Sequence, residues 1–246
     1  MTSTPADSRP AYYARVGATR GDLLTLLHPP YTAWHLSYVV LGALAAPKLS
    51  VVRLAATLVA FFLAVGIAAH AFDELHDRPL NTRLTRRTLA ISGGACLAGA
   101  VVIGVAGAVA VSVTLAPLVV AGAAICVGYN LELAGGRYHS DAWFALSWGA
   151  FPALTSYWVN ALSVSPAGIV VAFACAALSV MQRRLSTPAR RLRRQTVALT
   201  GHQELSDGSQ ITLSRELALE PLEGALRAAS YGITALALGL LVARVA

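Results

Sequence analysis

Long uncharged apolar runs alternate along the chain with short polar connections. A helix that crosses a bilayer needs about 20 mostly apolar residues. About seven runs approach that length, over residues 31–46, 51–72, 88–111, 117–131, 141–162, 166–181 and 222–245. Arginine, acids, glycine and proline collect between them. The pattern predicts an all-α polytopic membrane helix bundle of about seven transmembrane helices. It forms a single domain over 1–246 with a basic cytosolic loop at 182–221. Small residues recur in "SGGACLAGAVVIGVAGAVA", which suits close helix–helix packing.

The charges then orient the bundle. With the N-terminus cytosolic, sixteen of the nineteen basic residues fall inside, and Lys48, Arg53 and Arg244 fall outside. Cytosolic loops carry the arginine excess, so this is the expected orientation. Every carboxylate lands on the same side, which the rule does not require. Chemistry is therefore expected at the cytosolic face of a plasma-membrane protein. The start of the chain lacks a secretory pattern and is expected to remain as a cytosolic tail, with "GDLLTLL" at the interface.

Composition narrows the class. Charged residues make up 13% of the 246 and the mean hydropathy is +0.61, against roughly 25% charged in soluble domains. An integral membrane protein is expected. The net charge of +7 comes from arginines between spans, without a recognition module, so no nucleic-acid partner is expected. Cys96, Cys126 and Cys175 lie far apart in apolar runs and read as buried small hydrophobes.

One stretch conflicts with helix electrostatics. "FDELHD", Phe72 to Asp77, puts three acids at the C-terminal end of an apolar helix, where the dipole favours cations. Asp73 and Asp77 are spaced i, i+4 and repel on one face. Either Arg78, Arg83 and Arg86 solvate and pair this helix end, or a divalent cation holds it. Magnesium prefers carboxylates together with substrate phosphates.

"AHAFDELHDRPLNTRL" resembles the first aspartate-rich motif, N-D-x-x-D-x-x-x-D, of the UbiA superfamily of intramembrane prenyltransferases. Asp73 and Asp77 match its last two aspartates, and Ala69 and His70 stand where the family has Asn and Asp. "HPPYTAWHLSYVVLGAL" is similar to the family's first helix. "GYNLELAGGRYHSDAWFALSWGAFPALTSYW" resembles its fourth-to-fifth helix segment through Tyr129, Gly149 and Pro152. Leu133 occupies the place of the family's lysine, so Arg137 or His139 would substitute.

The resemblance spans roughly residues 22–200. It implies Mg2+-dependent transfer of a prenyl group from a polyprenyl diphosphate to a lipophilic or aromatic acceptor, within membrane lipid. Asp73 and Asp77 would be metal ligands supported by Glu74, and His70 would act beside them.

The family's second acidic motif is absent. Its place reads "LSVMQRRLSTPARRLRRQT", with Gln182 followed by arginines. Arg183 and Arg184, nearest the helix end, are candidates to grip diphosphate with forked hydrogen bonds. The competing reading is a basic segment on anionic lipid. Arg193 and Arg194, two turns on, are expected to matter little. Phe144, Trp148 and Phe151 share a helical face that suits a prenyl tail or ordinary packing. His139 and Asp141 sit at the mouth of the same helix, where Asp141 reads as a cap or an acceptor contact. A terpene cyclase on the same scaffold and a non-enzymatic lipid-binding protein are the alternative functions.

Overall fold

Most of the long helices open on a hydroxyl that satisfies an orphan backbone N–H. Ser50 accepts from Arg53, Thr85 from Thr88, Ser140 from Trp143, Ser165 from Gly168 and Ser214 from Leu217. The computed structural model describes residues 9–15 and 19–246. Residues 1–8 of the expected cytosolic tail, and 16–18, lie outside the described residues.

The helices are α1 (Thr19–Leu26), α2 (Pro29–Leu44), α3 (Val51–His76), α4 (Arg86–Ala110), α5 (Val113–Asn130), α6 (141–161), α7 (Pro166–Arg194) and α8 (Arg215–Val245). Five of them, α3, α4, α5, α7 and α8, are long and apolar enough to cross a membrane. The protein is thus an all-α helical membrane protein, apart from one exposed antiparallel hairpin, β1 (His202–Glu204) with β2 (Gln210–Thr212). Half of the expected basic loop at 182–221 is helix. α7 continues through Pro188 to Arg194, and α8 begins at Arg215. Its 29 residues make α7 about 43 Å long, more than the ~30 Å hydrocarbon layer. Its arginine-bearing turns therefore stand at the rim.

α2 is the central post, packed against the second half of α6 and against α8. Trp34 and Tyr38 are wholly buried in it, among Ala153, Ala172, Cys175 and Ile233. Their polar atoms satisfy each other: Trp34 Nε1 donates to the Tyr38 hydroxyl, which also accepts from Ser179 Oγ of α7 at 3.3 Å. Cys126 and Cys175 are buried free thiols and Cys96 is half-buried, as expected from their apolar runs.

Two helices are locally underwound into π geometry, α3 at Phe62–Ala69 and α6 at Ala145–Ala150. Such bulges shift every later side chain around the axis and recur at functional sites. Here they place His70 and Trp148 on the same internal space.

The α2–α6 contact depends on Gly42. A Cβ there would lie 2.1 Å from the carbonyl oxygen of Ala153, which is rigid backbone. Gly42→Ala should lower the melting temperature in detergent by several degrees, reflecting an overpacking cost of about 1–3 kcal/mol. Gly94→Ala, with nothing within 4 Å, should not lower it. Equal melting of Gly42→Ala and wild type would refute the close contact.

Candidate functional site

The turn after α3 is built around Glu74, which has no exposed surface. Its Oε2 accepts from Leu80 N at 2.9 Å. Its Oε1 accepts from Thr82 N at 2.7 Å and from Thr82 Oγ1 at 2.9 Å. Arg78, in the left-handed region at φ 54, donates to the carbonyls of Thr82 and Leu84. Asp22 of α1 accepts from Arg83 N. Glu74 therefore braces the chain reversal at Pro79, and its carboxylate is committed to it. This corrects the expectation of a metal ligand.

The Asp73/Asp77 stripe also separates. Asp77 is the residue at which α3 ends, and its side chain is 71% exposed, 3.7 Å from His76 Nε2. Donor atoms of His76, Asp77 and Glu132 lie within 4.8 Å of one another on the surface, an arrangement common without an ion. Asp73 instead lines a cavity of about 130 Å³, and among the described residues nothing hydrogen-bonds its carboxylate. The repulsion is relieved by sending the two acids to different sides. Arg190 and Arg194 face Asp73 with positive charge, His139 lies near it, and Glu74 is the like charge beside it.

Histidines and aromatic rings make one wall of this cavity. His70 stacks on His28, with ring centroids 4.2 Å apart and planes 16° apart. His70 Nδ1 lies 3.1 Å from the Gly66 carbonyl, and His35 Nδ1 lies 2.8 Å from the Trp148 carbonyl. A carbonyl only accepts, so each Nδ1 carries the proton and each Nε2 is left as an acceptor. The Tyr13 hydroxyl is 2.6 Å from His28 Nδ1. Burial drives His28 well below the usual imidazole range, reinforced by the neighbouring His70 and by the positive charge of Arg194 and Arg190. Burial likewise raises the Tyr13 phenol, which stays protonated and donates. Tyr129 stacks on His139 at 4.6 Å and meets Trp148 edge-on at 5.5 Å.

α7 makes the opposite wall with Gln182, Arg183, Ser186, Ala189, Arg190, Arg193 and Arg194. These positions recur every three or four residues, one stripe of a continuing helix. Arg183 Nε donates to Asp141 at 2.8 Å, and its guanidinium lies over the Phe144 ring. Arg193 forks onto Glu223 of α8, with Nη2 2.7 Å from Oε2. Arg193 and Arg194 also donate to the carbonyls of Arg9 and Pro10, which draws segment 9–13 across the mouth.

Beneath this polar cavity lies an apolar one of about 410 Å³ between α3, α4, α5 and α6, walled by Phe61, Leu97, Val119, Ile125 and Phe151. Val65 and Trp148 line both. A polar cavity thus adjoins an apolar one.

Of the residues expected from the sequence, Asp73, His70, Tyr129, His139, Trp148 and Arg183 line the polar cavity. Arg137 and Arg184 are exposed outside it, and Asp141 touches it only through Arg183. Arg193 and Arg194, expected to matter little even on a continuing helix, are in its wall, on the same stripe of α7 as Arg183 and Arg190. Their helical spacing was the available signal. His28 and His35 carried none, since their partners are distant in the chain.

Glu74 separates a brace from a ligand experimentally. Glu74→Ala strands three buried donors, each costing about 1–3 kcal/mol, so the protein should melt far lower or fail to survive detergent. Asp77→Ala should melt like wild type. Glu74→Ala with unchanged melting would overturn the bracing role.

No family model, curated protein or solved structure matches this chain, so its function is read from the geometry of the two chambers.

Proposed function

We propose that the protein is an intramembrane prenyltransferase. It seats a prenyl diphosphate with the diphosphate in the polar cavity and the isoprenoid tail in the apolar one. The observation that carries this reading is the sharing of Val65 and Trp148 by a cationic cavity and a 410 Å³ apolar cavity. An amphiphile with an anionic head and a branched apolar tail matches both halves.

In the proposed reaction the C1–O bond of the prenyl diphosphate breaks, and its electron pair leaves with the diphosphate. Arg183, Arg190 and Arg194 stabilise the charge that grows there. Trp148 and Phe144 present ring faces to the allylic cation and exclude water. A nucleophilic atom of a lipophilic or aromatic acceptor bonds C1 and releases its proton. His70 Nε2 and His35 Nε2 are the unprotonated acceptors on that wall.

The chain's own residues suit one Mg2+ and not two. Asp73 is the single carboxylate of the acidic turn in the cavity, and it has no hydrogen bond among the described residues. One carboxylate completed by phosphate oxygens and water is an ordinary magnesium site, and the ion would neutralise leaving-group charge. The active face is proposed to be cytosolic, at the plasma membrane, with seven helices crossing. The arginine excess at the cavity end supports this.

Two experiments test the reading. Purified protein with prenyl diphosphates of graded length, Mg2+ and aromatic acceptors should release diphosphate. Asp73→Asn should lower kcat/KM by roughly 100-fold, about 2.7 kcal/mol, while Arg137→Gln keeps it. Release without acceptor would replace transfer by cyclisation. No release under any condition would leave a lipid-binding protein. For orientation, Arg137→Cys and Arg184→Cys, in a background lacking Cys96, should be labelled only from the cytosolic side. Labelling from outside would reverse the proposed topology.

A further inference from the structure

Resting on the proposed substrate class, we infer that α7 carries a seat for a phosphate or diphosphate group that works without a metal ion. Arg183, Arg190 and Arg194 build it, with Tyr129 and Gln182 as neutral partners. In the resemblance to the superfamily, a second acidic motif would hold the anion through a second metal. Here that place is held by guanidinium groups.

The charge balance of the wall points to an anion. Arg193 is neutralised by Glu223 and Arg183 by Asp141, a carboxylate outside the cavity. Among the described residues, the carboxylate that faces Arg190 and Arg194 is Asp73, while Arg190 also feels Arg183 and Arg194 as like charges. The hydrogen bonds of these two are sparse among the described residues. Arg190 reaches Thr187 at 3.5 Å, and Arg194 spends its Nε on the Pro10 carbonyl. Guanidinium groups held away from bulk water without enough acceptors are costly, and a bound oxyanion removes the cost. A second divalent cation would add to it.

Two neutral groups sharpen the site. Gln182 is 3% exposed and Tyr129 5% exposed, both line the cavity, and Gln182 Oε1 and the Tyr129 hydroxyl have no hydrogen-bond partner among the described residues. Buried polar atoms in folded proteins are almost always paired. The phenol can donate to a phosphate oxygen directly, and the carboxamide can do so after a half-turn that brings its NH2 round. Tyr129, Gln182 and both under-neutralised arginines line the same 130 Å³ cavity.

Calorimetric titration of the full-length protein in a zwitterionic detergent, with inorganic pyrophosphate as probe and EDTA present, tests the seat. Saturable one-to-one binding is expected with EDTA present, and Mg2+ in place of EDTA should strengthen it without being required for it. Arg190→Gln and Arg194→Gln should each weaken it about tenfold or more, the scale of one lost charge-assisted contact. Arg184→Gln and Arg191→Gln, whose side chains are exposed, should not. If Arg190→Gln does not fold, Arg190→Lys keeps the charge, loses the fork and should bind with intermediate affinity.

Binding that requires Mg2+ overturns the inference, as does equal weakening by the exposed-arginine variants. Displacement of pyrophosphate by a prenyl diphosphate assigns the seat to substrate, whereas displacement only by a soluble short-chain phosphatidic acid assigns it to a lipid headgroup. Either result keeps the seat. Prenyl-diphosphate turnover, measured separately, keeps the two claims apart. Turnover with pyrophosphate binding that requires Mg2+ sinks the seat alone. Metal-free binding without turnover sinks the prenyltransferase reading alone.

Discussion

The arginines at the end of α7 must be neutralised where they stand, and much of the site follows from how that is done. Arg193 and Glu223 are the most committed pair, with side chains only 7% and 8% exposed. Removing either partner of such a pair leaves an uncompensated charge away from water, a cost of about 3–5 kcal/mol. The pair ties α7 to α8, and the same guanidinium reaches the Arg9 carbonyl. Segment 9–13 is thereby carried over the cavity, where Tyr13 can hold His28 against His70. One charge requirement at the rim thus organises the cover of the cavity and part of its histidine wall.

The π segments of α3 and α6 connect that rim to the membrane interior. A regular helix repeats its faces every 3.6 residues, and an inserted residue rotates everything beyond it. In α3 the underwound stretch ends at Ala69, immediately before His70. In α6 it contains Trp148, whose carbonyl is held by His35 of the central helix. Polar and apolar chambers meet at these two irregular places, at Val65 and Trp148. The interruption of regular helix is the means by which a wet, charged space opens onto a dry one.

The acidic turn shows how local spacing can mislead. An i, i+4 pair of carboxylates shares a face only while the helix lasts, and α3 ends at Asp77. Glu74 is consumed by the amides and hydroxyl of 80–82, because a proline-containing reversal next to buried helices leaves donors that water cannot reach. Asp73 alone remains in the cavity. The unfavourable dipole at that end is met by arginines from a helix more than a hundred residues later.

The sequence by itself determined the class, the helices and the polar end of the molecule. Lipid leaves backbone groups no partner except one another, so long apolar runs can only be helices, and Ser or Thr marks where they begin. Arginine and acid collect at one end because charge is expelled from hydrocarbon. Spacing singled out Asp73, His70 and Trp148, and the resemblance to the prenyltransferase superfamily pointed to Tyr129, His139 and Arg183; all six reach the cavity. Only the tertiary structure decided that Asp77 and Glu74 turn away, that α7 runs on through Pro188 to bring in Arg190 and Arg194, and that His28 stacks on His70. The reason is physical: helix formation is settled within a few residues, whereas the partner that neutralises a buried charge can come from anywhere in the chain.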